Sequence, residues 1–238
     1  MPAKIERIRS GIPGFDDMIE GGFVKGHTAL LCGSYGTGKT TFCMQFLVHG
    51  AMNGEPGLYI TFEEEPEQLI EEGGAFGWDV EKLIAENKLK ILKIAPRDLL
   101  NLVEAGFGQV SGIMKGMSIK RIAVDSIVMF DLLGKDDYER RRYALEFVNW
   151  LKKHDCTAIM TTDCIPGIED GKYTGIAESA ADAIIALYHP QEKRRRTRTI
   201  EIIKMRETCH SNELADFDIT KSGIVVRENK EGSVVCRR

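Results

Sequence analysis

Apolar positions along this chain follow two spacings in alternation. Five short apolar-rich runs, at 27–32, 57–62, 88–94, 121–125 and 156–162, predict strands. Between them lie stretches of helical composition at 39–52, 66–76 and 79–86, the second with Pro66 at its opening turn. A longer stretch places Leu99, Leu102, Val103, Val110, Ile113, Met114 and Met117 on one face of a single helix. In the next, Ala144, Phe147, Val148 and Leu151 follow i, i+3, i+4, i+7. Strands alternating with helices predict a parallel sheet covered on both faces and joined by right-handed crossovers. Beyond residue 180 the helical spacing stops. Runs at 183–188, 197–204, 213–219 and 224–227, separated by turns and charged residues, predict an antiparallel extension of the same sheet. The expected fold is α/β in one domain, with an N-terminal segment over 1–26, a core over 27–180 and the extension over 181–238.

Composition narrows the class. Of 238 residues 43% are hydrophobic and 29% charged, so the chain can bury a core and general disorder is excluded. A formal net charge of −4 gives no bulk attraction to nucleic acid or to an anionic membrane. No apolar run reaches the roughly 18–20 residues that span a bilayer. The charged start, Met1-Pro-Ala-Lys-Ile-Glu-Arg-Ile-Arg, lacks the apolar stretch of a secretion signal. A cytoplasmic protein without membrane contact is expected. Its six cysteines, none in a Cys-x-x-Cys pair, are expected to be reduced and to serve as small packing residues.

Chemistry enters after the first strand. Gly33-Ser-Tyr-Gly-Thr-Gly-Lys-Thr40 fits G-x-x-x-x-G-K-[ST] at every fixed position and sits between an apolar strand and a helix. Its glycines let the backbone close round a phosphate chain, so Ser34, Tyr35, Gly36, Thr37, Gly38, Lys39, Thr40 and Thr41 form the candidate nucleotide cradle. Lys39 would neutralise the β and γ phosphates, and the Thr40 hydroxyl would ligate Mg²⁺. The strand Arg121-Ile-Ala-Val-Asp125 ends in a carboxylate at the edge where parallel sheets bind ligands, which makes Asp125 a second Mg²⁺ residue. The second strand ends Thr61-Phe62-Glu63-Glu64-Glu65-Pro66. Glu65 and Glu67 suit a helix start. Glu63 and Glu64 abut the strand on the nucleotide side, where a carboxylate can polarise water for attack on a phosphate.

With these motifs the sequence resembles the KaiC-like ATPases of the RecA superfamily, in their single-domain form, over nearly its whole length. The family opening matches Ser10-Gly-Ile-Pro-Gly-Phe15-Asp16 and Gly21-Gly22, and its Thr-Thr strand end matches Thr161 and Thr162. Its Lys-x-Arg, with His four residues after the Arg, matches Lys204-Met-Arg206 and His210. The resemblance implies a RecA-like P-loop fold that binds ATP with Mg²⁺ and hydrolyses the ATP. It implies Glu63 as base with Glu64 in support, Asp125 as the Walker B aspartate, and His210 lining the nucleotide site. It also implies that Lys204 and Arg206 act on the γ-phosphate of a neighbouring copy in a ring, usually a hexamer. One domain instead of a tandem pair, and Glu207 where the family has Gly, speak against autokinase or clock activity but leave ATPase activity standing.

Lys204 and Arg206 lie two apart, so an extended segment sends both side chains to the same side. The basic run at 193–198 fits either phosphate contact with nucleic acid or a solvated turn between strands. The polar segments 131–142 and 164–175 follow the fourth and fifth strands, where RecA-like recombinases contact a polymer. They lack the aromatic interleaving that stacks single-stranded bases. The alternative to a ring ATPase is thus a RecA-paralogue module that binds single-stranded DNA in recombination or repair. A regulatory protein is the other candidate partner.

Overall fold

The computed structural model describes residues 5–163, 179–192 and 195–227. Its main sheet has nine strands: β1 (Thr28–Gly33), β2 (Gly57–Thr61), β3 (Leu89–Lys93), β4 (Arg121–Asp125), β5 (Thr157–Thr162), β6 (Ala183–Tyr188), β7 (Arg198–Met205), β8 (Ala215–Thr220) and β9 (Gly223–Val226). The helices are α1 (Lys39–Met52), α2 (Pro66–Ala75), α3 (Val80–Ala85), α4 (Pro96–Glu104), α5 (Gly108–Met117) and α6 (Asp137–Lys152). In space the strands run β9-β8-β7-β6-β1-β5-β4-β2-β3. The six from β6 to β3 are parallel, and β7, β8 and β9 add antiparallel to the β6 side.

The antiparallel extension is therefore one strand shorter than expected. β6 pairs parallel with β1, Leu31 opposite Ile185. Its run Ala-Ile-Ile-Ala-Leu-Tyr is apolar on both faces and buried over its first five residues, as suits a parallel strand covered on both sides.

Alternation along β1 divides the core in two. Ala29 and Leu31 face a layer built with Phe42, Phe46 and Leu47 of α1, while Leu30 and Cys32 face one built with Val110 of α5 and Phe147 and Val148 of α6. The opening motif serves the first layer. Phe15 is fully buried, its ring 5.3 Å from Phe42 and 5.7 Å from Phe23. The turn before it is tied by Ser10 N donating to Asp16 Oδ1 at 2.9 Å.

The single helix expected over 99–117 is two. α4 and α5 are separated at Gly106 and Phe107, both with φ near 60° (61° and 60°), so the helical path breaks there. Phe107 is buried against Phe147 (5.2 Å) and Trp150 (5.0 Å) of α6. Other helix starts carry the expected local chemistry. Glu65 caps α2 in a capping box with Gln68, ahead of Pro66. Asp79 and Asp136 cap α3 and α6 through the amides of Lys82 and Glu139.

Cys32, Cys43 and Cys156 are buried free thiols, as expected of packing residues. Cys209 departs from the expectation, being disulfide-bonded. Among the described residues no helix is long and apolar enough to cross a membrane.

Candidate active site

Parallel pairing brings the ends of β1, β2, β4 and β5 to one edge. In register Thr61 stands beside Asp125, and Cys32 beside Thr162. The phosphate loop leaves β1 there. Gly36 and Gly38 take φ of 75° and 106°, which an L side chain adopts only under strain, and a Cβ on Gly38 would come within 3.0 Å of Ile219. Thr37, fully buried, donates to the Ser34 carbonyl at 2.8 Å and braces the loop. The helix α1 begins at Lys39, so its unpaired amides and positive end face the same space.

Lys39 is held on three sides. Its Nζ donates to the carbonyls of Gly33 (2.6 Å) and Ser34 (3.3 Å) and pairs with Asp163 Oδ1 at 2.8 Å. Asp163 follows β5 directly and is not among the residues expected from the sequence. Beside the lysine, Thr40 Oγ1 donates to Asp125 Oδ2 at 2.9 Å. A hydroxyl and a carboxylate in hydrogen-bond contact are hard oxygen donors that fit Mg²⁺ as a direct ligand and a holder of its water. Asp125 also accepts from Tyr59 OH (2.7 Å) and Thr161 Oγ1 (2.5 Å).

The glutamates beyond β2 differ from one another. Thr61 Oγ1 accepts from the Glu64 amide at 3.0 Å and donates to the Glu64 carbonyl at 3.1 Å, which fixes that turn. Burial, and then the charges of Glu72, Asp125 and Glu63, push the Glu64 carboxyl up to about 7. Glu63 is exposed. All four line a cleft of about 370 Å³ together with Tyr35, Gly36, Gly38, Lys39, Thr40, Thr41, Thr61, Ser126, Asp163 and Ile219. Of the expected cradle residues, Ser34 and Thr37 are absent from this lining and act as braces of the loop.

Lys204, Arg206 and His210 are elsewhere. β7 runs antiparallel to β6, with Thr199 beside Tyr188 at the cleft edge and Met205 beside Ala183 at the opposite one. A six-residue strand separates them, about 15–20 Å at the usual rise. Lys204 Nζ donates to Ala181 O (2.7 Å) and Arg206 to Asp182 Oδ1 (3.2 Å), so both reach the residues just ahead of β6. Asp182 also takes Lys152 (2.7 Å) and the Thr28 amide (3.1 Å). Burial raises its carboxyl, but the bonds from Lys152 and Thr28 outweigh that and leave it below the usual range. Burial first, and the charge of Arg206 next, lower Lys204. His210 Nδ1 lies 2.9 Å from the Ser211 carbonyl. Within one chain these three residues do not meet the phosphate loop.

A family model described as "ATPase: KaiC" matches residues 8–231. The chain belongs to the KaiC family of ATPases. It is 35% identical over 234 residues to a circadian clock oscillator protein KaiC of Prochlorococcus marinus subsp. pastoris, covering 94% of this chain and 45% of that one. It is also 35% identical over 227 residues to the KaiC of Synechococcus elongatus, covering 92% and 44%. The chain thus spans about half the length of these KaiC relatives. The crystal structure of a KaiC-like protein from the hyperthermophilic archaeon Pyrococcus horikoshii superposes with a TM-score of 0.83 at 38% identity, covering 94% of this chain and all of that one.

Residues that sequence reasoning missed fall into two kinds. Asp163 was open to the strand-end argument that found Asp125, because it follows β5 as Asp125 ends β4. Tyr59, Glu72 and Ile219 carried no local signal. They join the site through a strand interior, a helix face and a remote hairpin, which only the tertiary fold brings together.

Proposed function

We propose that this chain binds and hydrolyses ATP with Mg²⁺ at this cleft, in head-to-tail rings, usually hexamers, in which each site is completed by the next copy. The observation that carries the reading is the contact of Thr40 with Asp125 beside Lys39, where a glycine-turned loop opens α1. When bound, Mg²⁺ would neutralise charge on the phosphates. Thr40 and Asp125 would hold it, and Lys39 would exchange Asp163 for the β and γ phosphates. Glu63 and Glu64 orient the attacking water, and Glu64, with its carboxyl near 7, is suited to accept a proton at neutral pH.

The position of the remaining cations supports the ring. Lys204 and Arg206 lie at the edge opposite their own cleft, an edge that would meet a neighbour's cleft in a head-to-tail ring. Lys152 and Arg206 pair with Asp182 and Lys204 donates to the adjacent Ala181 carbonyl, while the cleft gathers Glu63, Glu64, Glu72, Asp125 and Asp163 around Lys39. Opposite charge on two different faces favours a heterologous interface, and such contacts form a ring where the rotation closes. His210 would approach the nucleotide from the same neighbour.

The DNA-binding alternative is not carried further. The relatives give it no support, and its discriminating segment at 164–175, like Lys193 and Arg194 of the basic run, lies outside the described residues. The test of the proposal is ATP turnover measured alongside particle mass. Turnover that needs Mg²⁺ and falls on dilution to monomer is expected. Activity per subunit that stays constant down to monomer would refute the shared site.

A further inference from the structure

The strand of Asp125 is flanked by β2 on one side and β5 on the other, and each neighbour sends a hydroxyl to its carboxylate. Thr161 reaches Oδ1 from β5, and Tyr59 reaches Oδ2 from β2, where Thr40 also bonds. Tyr59 and Thr161 are fully buried. In register Tyr59 lies opposite Ala123, two residues before Asp125 and on the same sheet face. The small Ala123 side chain lets the phenol pass along that face to the strand end. A carboxylate offers about four acceptor positions. Among the described residues two hydroxyls bond Oδ2 and one bonds Oδ1, which leaves an acceptor position on Oδ1 for a metal-bound water.

We infer that Tyr59 is a positioning residue of the metal site, its phenol holding Asp125 so that this acceptor and the Thr40 hydroxyl serve one cation. The inference rests on the Mg²⁺–ATP reading and adds a residue to it. Partners that orient a metal-holding group typically change metal affinity by about 10–100-fold when removed. Asp125 acts through water, so the lower end applies.

The test uses the full chain with Mn²⁺ in place of Mg²⁺ and a slowly hydrolysed ATP analogue. Free Mn²⁺ is followed by electron paramagnetic resonance, and analogue binding in EDTA is measured in parallel. Tyr59→Phe is expected to weaken Mn²⁺ binding about tenfold while metal-free analogue binding stays at the wild-type value. Thr161→Val should do the same from the other strand, and Thr161→Ser should restore binding. Wild-type Mn²⁺ affinity in Tyr59→Phe overturns the inference. So does equal loss of metal and metal-free nucleotide binding, or failure of the variant to fold, since either makes the hydroxyl structural. If the wild-type chain binds neither Mn²⁺ nor the analogue, the Mg²⁺–ATP reading itself falls.

Discussion

Lys39 and Asp163 pose a competition that a nucleotide must win. The pair is partly sheltered, with side-chain exposures of 10% and 30%, and a partly exposed ion pair contributes up to about 1 kcal/mol. Asp163→Asn should therefore tighten ATP binding by up to about fivefold in equilibrium titration. Weaker binding would show that Asp163 assists the nucleotide. Lys39→Ala should abolish productive binding in the same titration, because alanine supplies no charge for the phosphates. Glu64 makes a pH prediction. Its raised carboxyl is protonated, and inactive as a base, below about 7 and becomes competent as pH rises through that value. The ratio kcat/KM, which reports the free enzyme, should climb through that range and lose the limb in Glu64→Gln. An unchanged profile would assign the limb to another group. At this scale the sequence singled out the loop by its spacing and Asp125 and the glutamates by their strand ends, which the fold gathers at one cleft. It did not rank Glu63 against Glu64, because the difference comes from Glu72 and from burial, both tertiary. The resemblance put the base at Glu63, whereas the perturbed carboxyl belongs to Glu64.

Among the elements, α4 and α5 show why a periodic pattern can conceal a break. Leu99, Val103, Phe107, Val110 and Met114 are all buried, and their spacings of four, four, three and four continue a helical phase straight through the break. Hydrophobic spacing alone therefore reads one helix, and only the left-handed Gly106 and Phe107 interrupt it. The side chain of Phe107 holds this corner against α6. Phe107→Ala should cost about 3–5 kcal/mol of stability in urea unfolding, with nucleotide binding intact in the folded fraction. A loss below about 1 kcal/mol would mean that the layer repacks. Strand boundaries were otherwise legible to within two residues, since β-branched and aromatic runs bounded by turn residues define them. The pairing direction of β6 was missed although its run is apolar on both faces, where that of β7 alternates with charged residues.

At the level of the whole molecule the sheet sets a polarity. Its carboxyl edge carries the loop, Thr40 with Asp125, and the glutamates, and its opposite edge carries Lys204 and Arg206, bonded to Ala181 and Asp182. Arg206 is half exposed on that edge. If it enters a neighbour's cleft, Arg206→Ala should keep nucleotide binding, since its own loop is untouched, and lose hydrolysis. An arginine supplied in trans contributes up to about 10³–10⁵-fold in phosphoryl transfer. A Glu63→Gln, Glu64→Gln double variant should bind Mg²⁺–ATP and turn over roughly 10²–10⁴-fold more slowly. Each variant alone spoils every interface, one from the finger side and the other from the base side. Mixed in equal amounts in a ring that exchanges subunits, about one quarter of the interfaces unite an intact base with an intact arginine. Hydrolysis should then recover toward that fraction of the wild-type rate, at protein concentrations where the ring is intact. The complementation should fade with added salt, because the two faces meet by opposite charge. A mixture no more active than its parts, under conditions where subunit exchange is demonstrated, would return Arg206 to a role within its own subunit, paired with Asp182.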